Sequence, residues 1–133
     1  HQNVYWPSPL LQNLAHFRLH QGDWQGATPL LRELIDVACE YNYPYFVCLY
    51  VAAMGGVGCA RGLHEQAAQL FGAVDTRLEA MGAAFEPTDQ QELDQNRQRC
   101  REALGEEAYS RARSQGASWS RDQAIAAAAK LYS

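Results

Sequence analysis

The chain has 133 residues, 47% apolar and 20% charged, which is enough for one domain with its own core and too apolar for a disordered segment. A formal charge of -4 and a single lysine, Lys130, leave no basic cluster for neutralising phosphates, so direct nucleic-acid binding is disfavoured. The opening HQNVYWPSP has neither a basic start nor a continuous apolar run and is not a secretory signal; lacking an initiator methionine, it reads as part of a longer chain.

His1 to Ser8 form an extended lead-in, with Trp6 expected to pack back on the body and Pro7 and Pro9 placed to start a helix. The first predicted helix runs from Pro9 to Gln21, with Leu10, Leu11, Leu14, Ala15, Phe17 and Leu19 on a wide apolar face. Gly22 ends it as a left-handed cap. Asp23 caps the second helix, Trp24 to about Tyr41, which buries Ala27, Leu30, Leu31, Leu34, Ile35 and Ala38 and tolerates Pro29 near its start. Tyr43 to Gly62, YPYFVCLYVAAMGGVGCARG, carries no charge before Arg61. It is predicted to be a buried central helix whose glycines admit close neighbours. Its tyrosines, Pro44 and clustered glycines, and the absence of basic residues before it, argue against a membrane span.

His64 to Met81 is the fourth predicted helix, burying Ala67, Leu70, Phe71, Val74 and Leu78, with Gly82 just past its end. After a loop from Ala83 to Pro87, Thr88 and Gln91 make a capping-box pattern for a polar fifth helix, Asp89 to Leu104. Its apolar stripe is narrow: Leu93, Cys100, Ala103 and Leu104. Gly105 separates it from a sixth helix, Glu106 to about Ser114, which Gly116 is expected to end. Ser120 with Gln123 opens a last alanine-rich helix, Arg121 to Leu131. No strand is expected anywhere.

Residues suited to chemistry are few. His16 and His20 stand four apart on one helix, the spacing of metal ligands, but HFRLH offers neither the glutamate of a zincin nor a third ligand. Solvated or partner-facing histidines are the simpler reading. Gly55 to Gly58, GGVG, has no preceding strand and no following lysine, so close helix packing explains it better than a phosphate loop. Glu106 and Glu107 complement a helix dipole rather than form a catalytic pair. Cys39, Cys48, Cys59 and Cys100 lack CxxC spacing and mostly sit in apolar helical patterns, which suits buried free thiols and a cytoplasmic setting. No catalytic residue, cofactor or metal is expected, and the chain reads as non-enzymatic.

An offset of forty aligns the first helix pair on the second: Ala15 with Gly55, Gly22 with Gly62, Ala27 with Ala67, Leu31 with Phe71, Leu34 with Val74. Hairpins of this kind cannot bury their faces alone and therefore stack. The pattern L-A…G-D-W-x-x-A…L-L in Leu14 to Leu31, echoed in Met54 to Phe71, resembles the tetratricopeptide repeat. Arg18 and Gly58 stand where that family usually has tyrosine, and its closing proline is absent. The run AAQLFGAVDTRLEAMGAAFEP, the polar helix after it and REALGEEAYSRARSQGASWSRDQAIAAA are similar to the C-terminal segment of large bacterial LuxR-like ATPase regulators and related ATPase or cyclase chains.

These resemblances imply one all-α domain of about seven helices, a right-handed α-superhelix of tetratricopeptide-like hairpins at 9–41 and 43–82, sealed by capping helices at 88–132. They imply a protein-interaction or scaffold module of a regulator, with any ATPase elsewhere. The inner side of the first helix would then show Gln12, His16, Leu19 and His20 to a peptide or a neighbouring repeat, and an isolated fragment would be open to self-association. The matching positions Ala52, Gly56, Cys59 and Ala60 are too small and apolar to face water, so the C-terminal helices are expected to fold over them. The competing reading is a small-ligand sensor with a pocket among Trp24, Tyr45, Tyr50 and the histidines.

Overall fold

A computed structural model of the chain describes the backbone of residues 7–132 and the side chains of 13–15 and 17–131. Seven α-helices and one short 3-10 turn make up these residues, and no strand occurs among them. The helices are α1 (Pro7–His20), α2 (Trp24–Glu40), α3 (Pro44–Ala60), α4 (His64–Met81), α5 (Pro87–Leu104), α6 (Glu106–Ala117) and α7 (Arg121–Ala129), followed by the turn Lys130–Tyr132. The lead-in through Trp6 lies outside the described residues.

The first four helices end alike. Gly22, Asn42, Gly62 and Gly82 all have positive φ, and they stand twenty residues apart. At each, the following N–H reaches back to the helix: Asp23 to the Arg18 carbonyl at 2.9 Å, Tyr43 to Ala38 at 2.8 Å, Leu63 to Gly58 at 2.7 Å and Ala83 to Leu78 at 3.0 Å. This six-to-one bond satisfies a carbonyl that a helix end otherwise orphans, and the left-handed residue before it turns the chain sharply. Asn42 is the one non-glycine with positive φ among the described residues, a conformation asparagine tolerates better than most side chains. The turns reverse the chain, so Arg61, just beyond α3, lies 4.8 Å over the Trp24 ring at the start of α2.

The central helix is α3, and eleven of its seventeen residues are buried, which is why its sequence is apolar on every side. Helix α2 packs on one flank and α4 on another. Helix α5 runs along α3 in the same direction: the Glu86 N–H donates to the Tyr45 hydroxyl at 3.4 Å, Asn96 sits beside Gly56, and Cys100 meets Cys59. The fold-over expected from Ala52, Gly56 and Cys59 is therefore made by α5, while Ala60 stays exposed.

Three local expectations need correction. Helix α5 starts at Pro87, one turn-defining residue before the Thr88 pattern, and its N-cap, Glu86, makes no side-chain cap bond. Proline at the first helical position has its φ preset and its missing N–H costs nothing there, so it displaces the capping box. Gly116 does not end α6. It lies inside the helix, where a Cβ would collide with the Gln69 carbonyl of α4; across the same crossing, a Cβ on Gly72 would collide with the Arg113 carbonyl. The backbone-to-backbone approach anticipated for the α3 glycines is thus found between α4 and α6. In α3, Gly55 instead makes room for the Phe71 ring. Finally, α7 ends at Ala129 and continues as the 3-10 turn, while its Ser120–Gln123 capping box is present with reciprocal bonds of 3.2 and 2.8 Å.

Candidate functional site

Helix α1 is the described element with most apolar surface left bare. Leu14 is 42% exposed and Phe17 59%, whereas Met54 and Val57, forty residues on, are both fully buried at 0%. Helix α3 packs against α1, α2, α4, α5 and α7, whereas α1 packs mainly against α2 and α3.

The predicted partner strip divides. The side chains of Gln12 and His16 lie outside the described residues. Leu19 is half-buried and lines a narrow crevice of about 20 Å³ with Ala52, Gly56, Phe85, Glu92 and Asn96, at the meeting of α1, α3 and α5. His20 is exposed, and its Nε2 stands 3.0 Å from Glu92 Oε2 of α5. Helix α5 thus already occupies part of the inner side that was expected to receive a partner. Among the described residues no group of three or more His, Cys, Asp or Glu side chains could hold a metal ion, and no helix is long and apolar enough to cross a membrane.

The cysteines are free. Cys39 is exposed, contrary to the expectation of burial, because it lies on the outer side of α2; Cys48, Cys59 and Cys100 are buried. Cys59 Sγ of α3 and Cys100 Sγ of α5 are 3.6 Å apart, and Cys59 Sγ is 3.7 Å from the Asn96 carbonyl. The contact between the two sulfurs, together with burial, raises the Cys59 pKa, and the same contact lowers that of Cys100 against the opposing effect of burial. Cys48, in an apolar pocket, is pushed up by burial to about 11.

A second cluster joins α4, α5 and α6. Arg97 grips Asp75 with both terminal nitrogens, and Arg113 adds bonds of 3.0 Å from the other side. Burial works against the Arg97 charge, but the Asp75 carboxylate more than offsets it, so the guanidinium is held above its ordinary pKa. Beside them Arg101 lies 4.8 Å over the Tyr109 ring, whose buried hydroxyl has no hydrogen-bond partner among the described residues. Burial raises the Tyr109 pKa, and the two arginines pull the other way.

The proposed ligand cage does not assemble. Trp24 lies under Arg61, Tyr45 packs edge-on against Phe46 and Phe85, and Tyr50 is fully buried. Tyr45 and Arg61 stand at opposite ends of α3, roughly 24 Å apart at 1.5 Å per residue, so one cavity cannot serve both aromatic ends. An open groove of about 380 Å³ lies elsewhere, bounded by Arg61, Gln66, Gln69, Trp119 and Lys130.

No protein-family model, curated protein or solved structure matches the chain.

Sequence reasoning missed the Cys59–Cys100 pair and the Asp75 cluster. The former had a signal, since its separation of 41 nearly continues the forty-residue period. The latter had none, because its three charges come from three polar helices that offer many equivalent pairings.

Proposed function

We propose that this domain is a non-enzymatic interaction module built of tetratricopeptide-like hairpins, a terminal piece of a regulator's helical array. The bare face of α1 receives the second helix of a further hairpin. The observation that carries the reading is the contrast between exposed Leu14 and Phe17 and their buried counterparts Met54 and Val57. The twenty-residue recurrence of one turn geometry supports modular units, and α5 to α7 pack on α3 and α4.

The test is a variant in which residues 3–42 are duplicated in tandem, so that a copy of α2 precedes the original α1. The expected outcome is one cooperative transition with a larger urea m-value and a higher Tm, because repeat arrays gain from each interface added. An added segment that remains unfolded, with m unchanged, refutes the reading.

The second reading, a small-ligand sensor, rests on the groove between α3 and α4 and the C-terminal helices, where Arg61 and Lys130 flank Trp119. Its volume of about 380 Å³ falls within the range of ligand sites. Thermal-shift screening with anionic metabolites separates the two readings: a folded-state ligand raises the Tm, and Trp119→Ala abolishes that rise.

A further inference from the structure

Two buried sulfurs on different helices, Cys59 of α3 and Cys100 of α5, stand in contact and are not bonded. We propose that Cys59 and Cys100 form a redox modification site at which a small hydroperoxide makes a reversible disulfide between α3 and α5. The sulfurs stand 3.6 Å apart and a disulfide bond is about 2.05 Å long, so bond formation closes a gap of about 1.5 Å.

Access selects the oxidant. Cys59 is 8% exposed and Cys100 is fully buried, so a tripeptide disulfide cannot reach either without unfolding, whereas hydrogen peroxide is close to water in size. A crevice lined by Gly56 and Asn96 lies beside the pair, Cys59 Sγ being 3.7 Å from the Asn96 carbonyl.

The chemistry closes in two steps. The Cys100 thiolate attacks one oxygen of the peroxide, the O–O bond breaks, and hydroxide leaves and is protonated to water, giving a sulfenic acid on Cys100. Cys59 then attacks the Cys100 sulfur; the S–O bond breaks, and the leaving hydroxide takes the Cys59 proton to become a second water. Two thiols are oxidised by two electrons, one peroxide is reduced to two waters, and a thiol reductant reverses the bond. Its consequence is mechanical: α5, which covers the Ala52, Gly56 and Cys59 side of α3, becomes covalently fixed there.

The experiment treats the intact protein with hydrogen peroxide, alkylates it with N-ethylmaleimide in denaturant, and maps thiols by mass spectrometry. The expected result is a Cys59–Cys100 cross-linked peptide that dithiothreitol removes, with Cys48 still alkylated and the Tm of the oxidised protein raised by about 10 °C, since cross-linking removes unfolded-chain entropy. Oxidised glutathione is expected to modify exposed Cys39 and leave the pair intact. In Cys59→Ser no partner resolves the intermediate, and dimedone added together with the denaturant traps a sulfenic acid on Cys100. Full alkylation of both Cys59 and Cys100 after peroxide, or their conversion to sulfinic acid without a cross-link, overturns the proposal.

Discussion

Gly116 to alanine gives the sharpest test of the packing. Within a helix, alanine is better than glycine by about 1 kcal/mol, so propensity alone predicts a more stable protein. The structure predicts the opposite sign. A Cβ at 116 would enter the space of the Gln69 carbonyl oxygen, and backbone cannot rotate away as a side chain can. Helices α4 and α6 would have to separate by on the order of 1–2 Å, which forfeits a large share of the dispersion energy along the crossing. Overpacking of this kind costs up to about 3 kcal/mol, leaving a net loss of roughly 2 kcal/mol after the helix gain. At about 4 °C per kcal/mol for a chain this size, the Tm falls by roughly 8 °C in a calorimetric scan. Gly56 to alanine is the internal control: its Cβ would meet only the end of the Asn96 side chain at 3.2 Å, and that amide can swing outward. That variant should match or exceed the native Tm. If Gly116→Ala is as stable as the native chain, the close α4–α6 approach is wrong.

Asp75→Asn leaves Arg97 and Arg113 facing each other in a largely covered site, so urea denaturation should show a loss of about 2 kcal/mol, whereas Arg113→Ala, removing a half-exposed partner, should cost under about 1 kcal/mol. Tyr109→Phe deletes a buried hydroxyl without a partner and is expected to raise stability by about 1 kcal/mol; a loss of that size would show that the hydroxyl is satisfied. Folding holds the Cys48 thiol neutral by moving its pKa from 9.0 to about 11, so the associated stability is complete below pH 9 and disappears as pH rises toward 11. That window carries at most about 3 kcal/mol, and the alkaline fall in the urea midpoint should flatten in Cys48→Ala. In native protein at pH 8, iodoacetamide should label Cys39 well before Cys48; equal rates would contradict the burial.

Helix existence was legible because each segment carries its own stop. Gly22, Gly62 and Gly82 are followed by new apolar patterns, and a left-handed cap is the cheapest way to end one helix and aim the next. Gly116 shows where that logic fails. Glycine is chosen either for positive φ or for the absence of a Cβ, and a sequence does not distinguish them when a polar stretch follows. At 116 the need was for space, set by Gln69 on a helix nearly fifty residues earlier. The α5 start failed for a local reason, since Pro87 and Thr88 both offer helix beginnings and only one is used.

The same distinction between local and distant causes separates the two parts of the candidate site. Helix α1 keeps a bare face because the described residues pack mainly α2 and α3 against it, and Leu14 and Phe17 carry the apolar surface left over. The thiol pair and the Asp75 clamp are different, because both depend on where α5 lands. Helix α5 is polar, and burial alone would hold it weakly; its narrow stripe of Leu93 and Cys100 is all it buries completely. Charge therefore fixes α5 to α4 through Arg97 and Asp75, and sulfur contact fixes it to α3 through Cys100 and Cys59. A helix held by a few specific contacts rather than by a broad apolar face is the one whose attachment a single new covalent bond would change most.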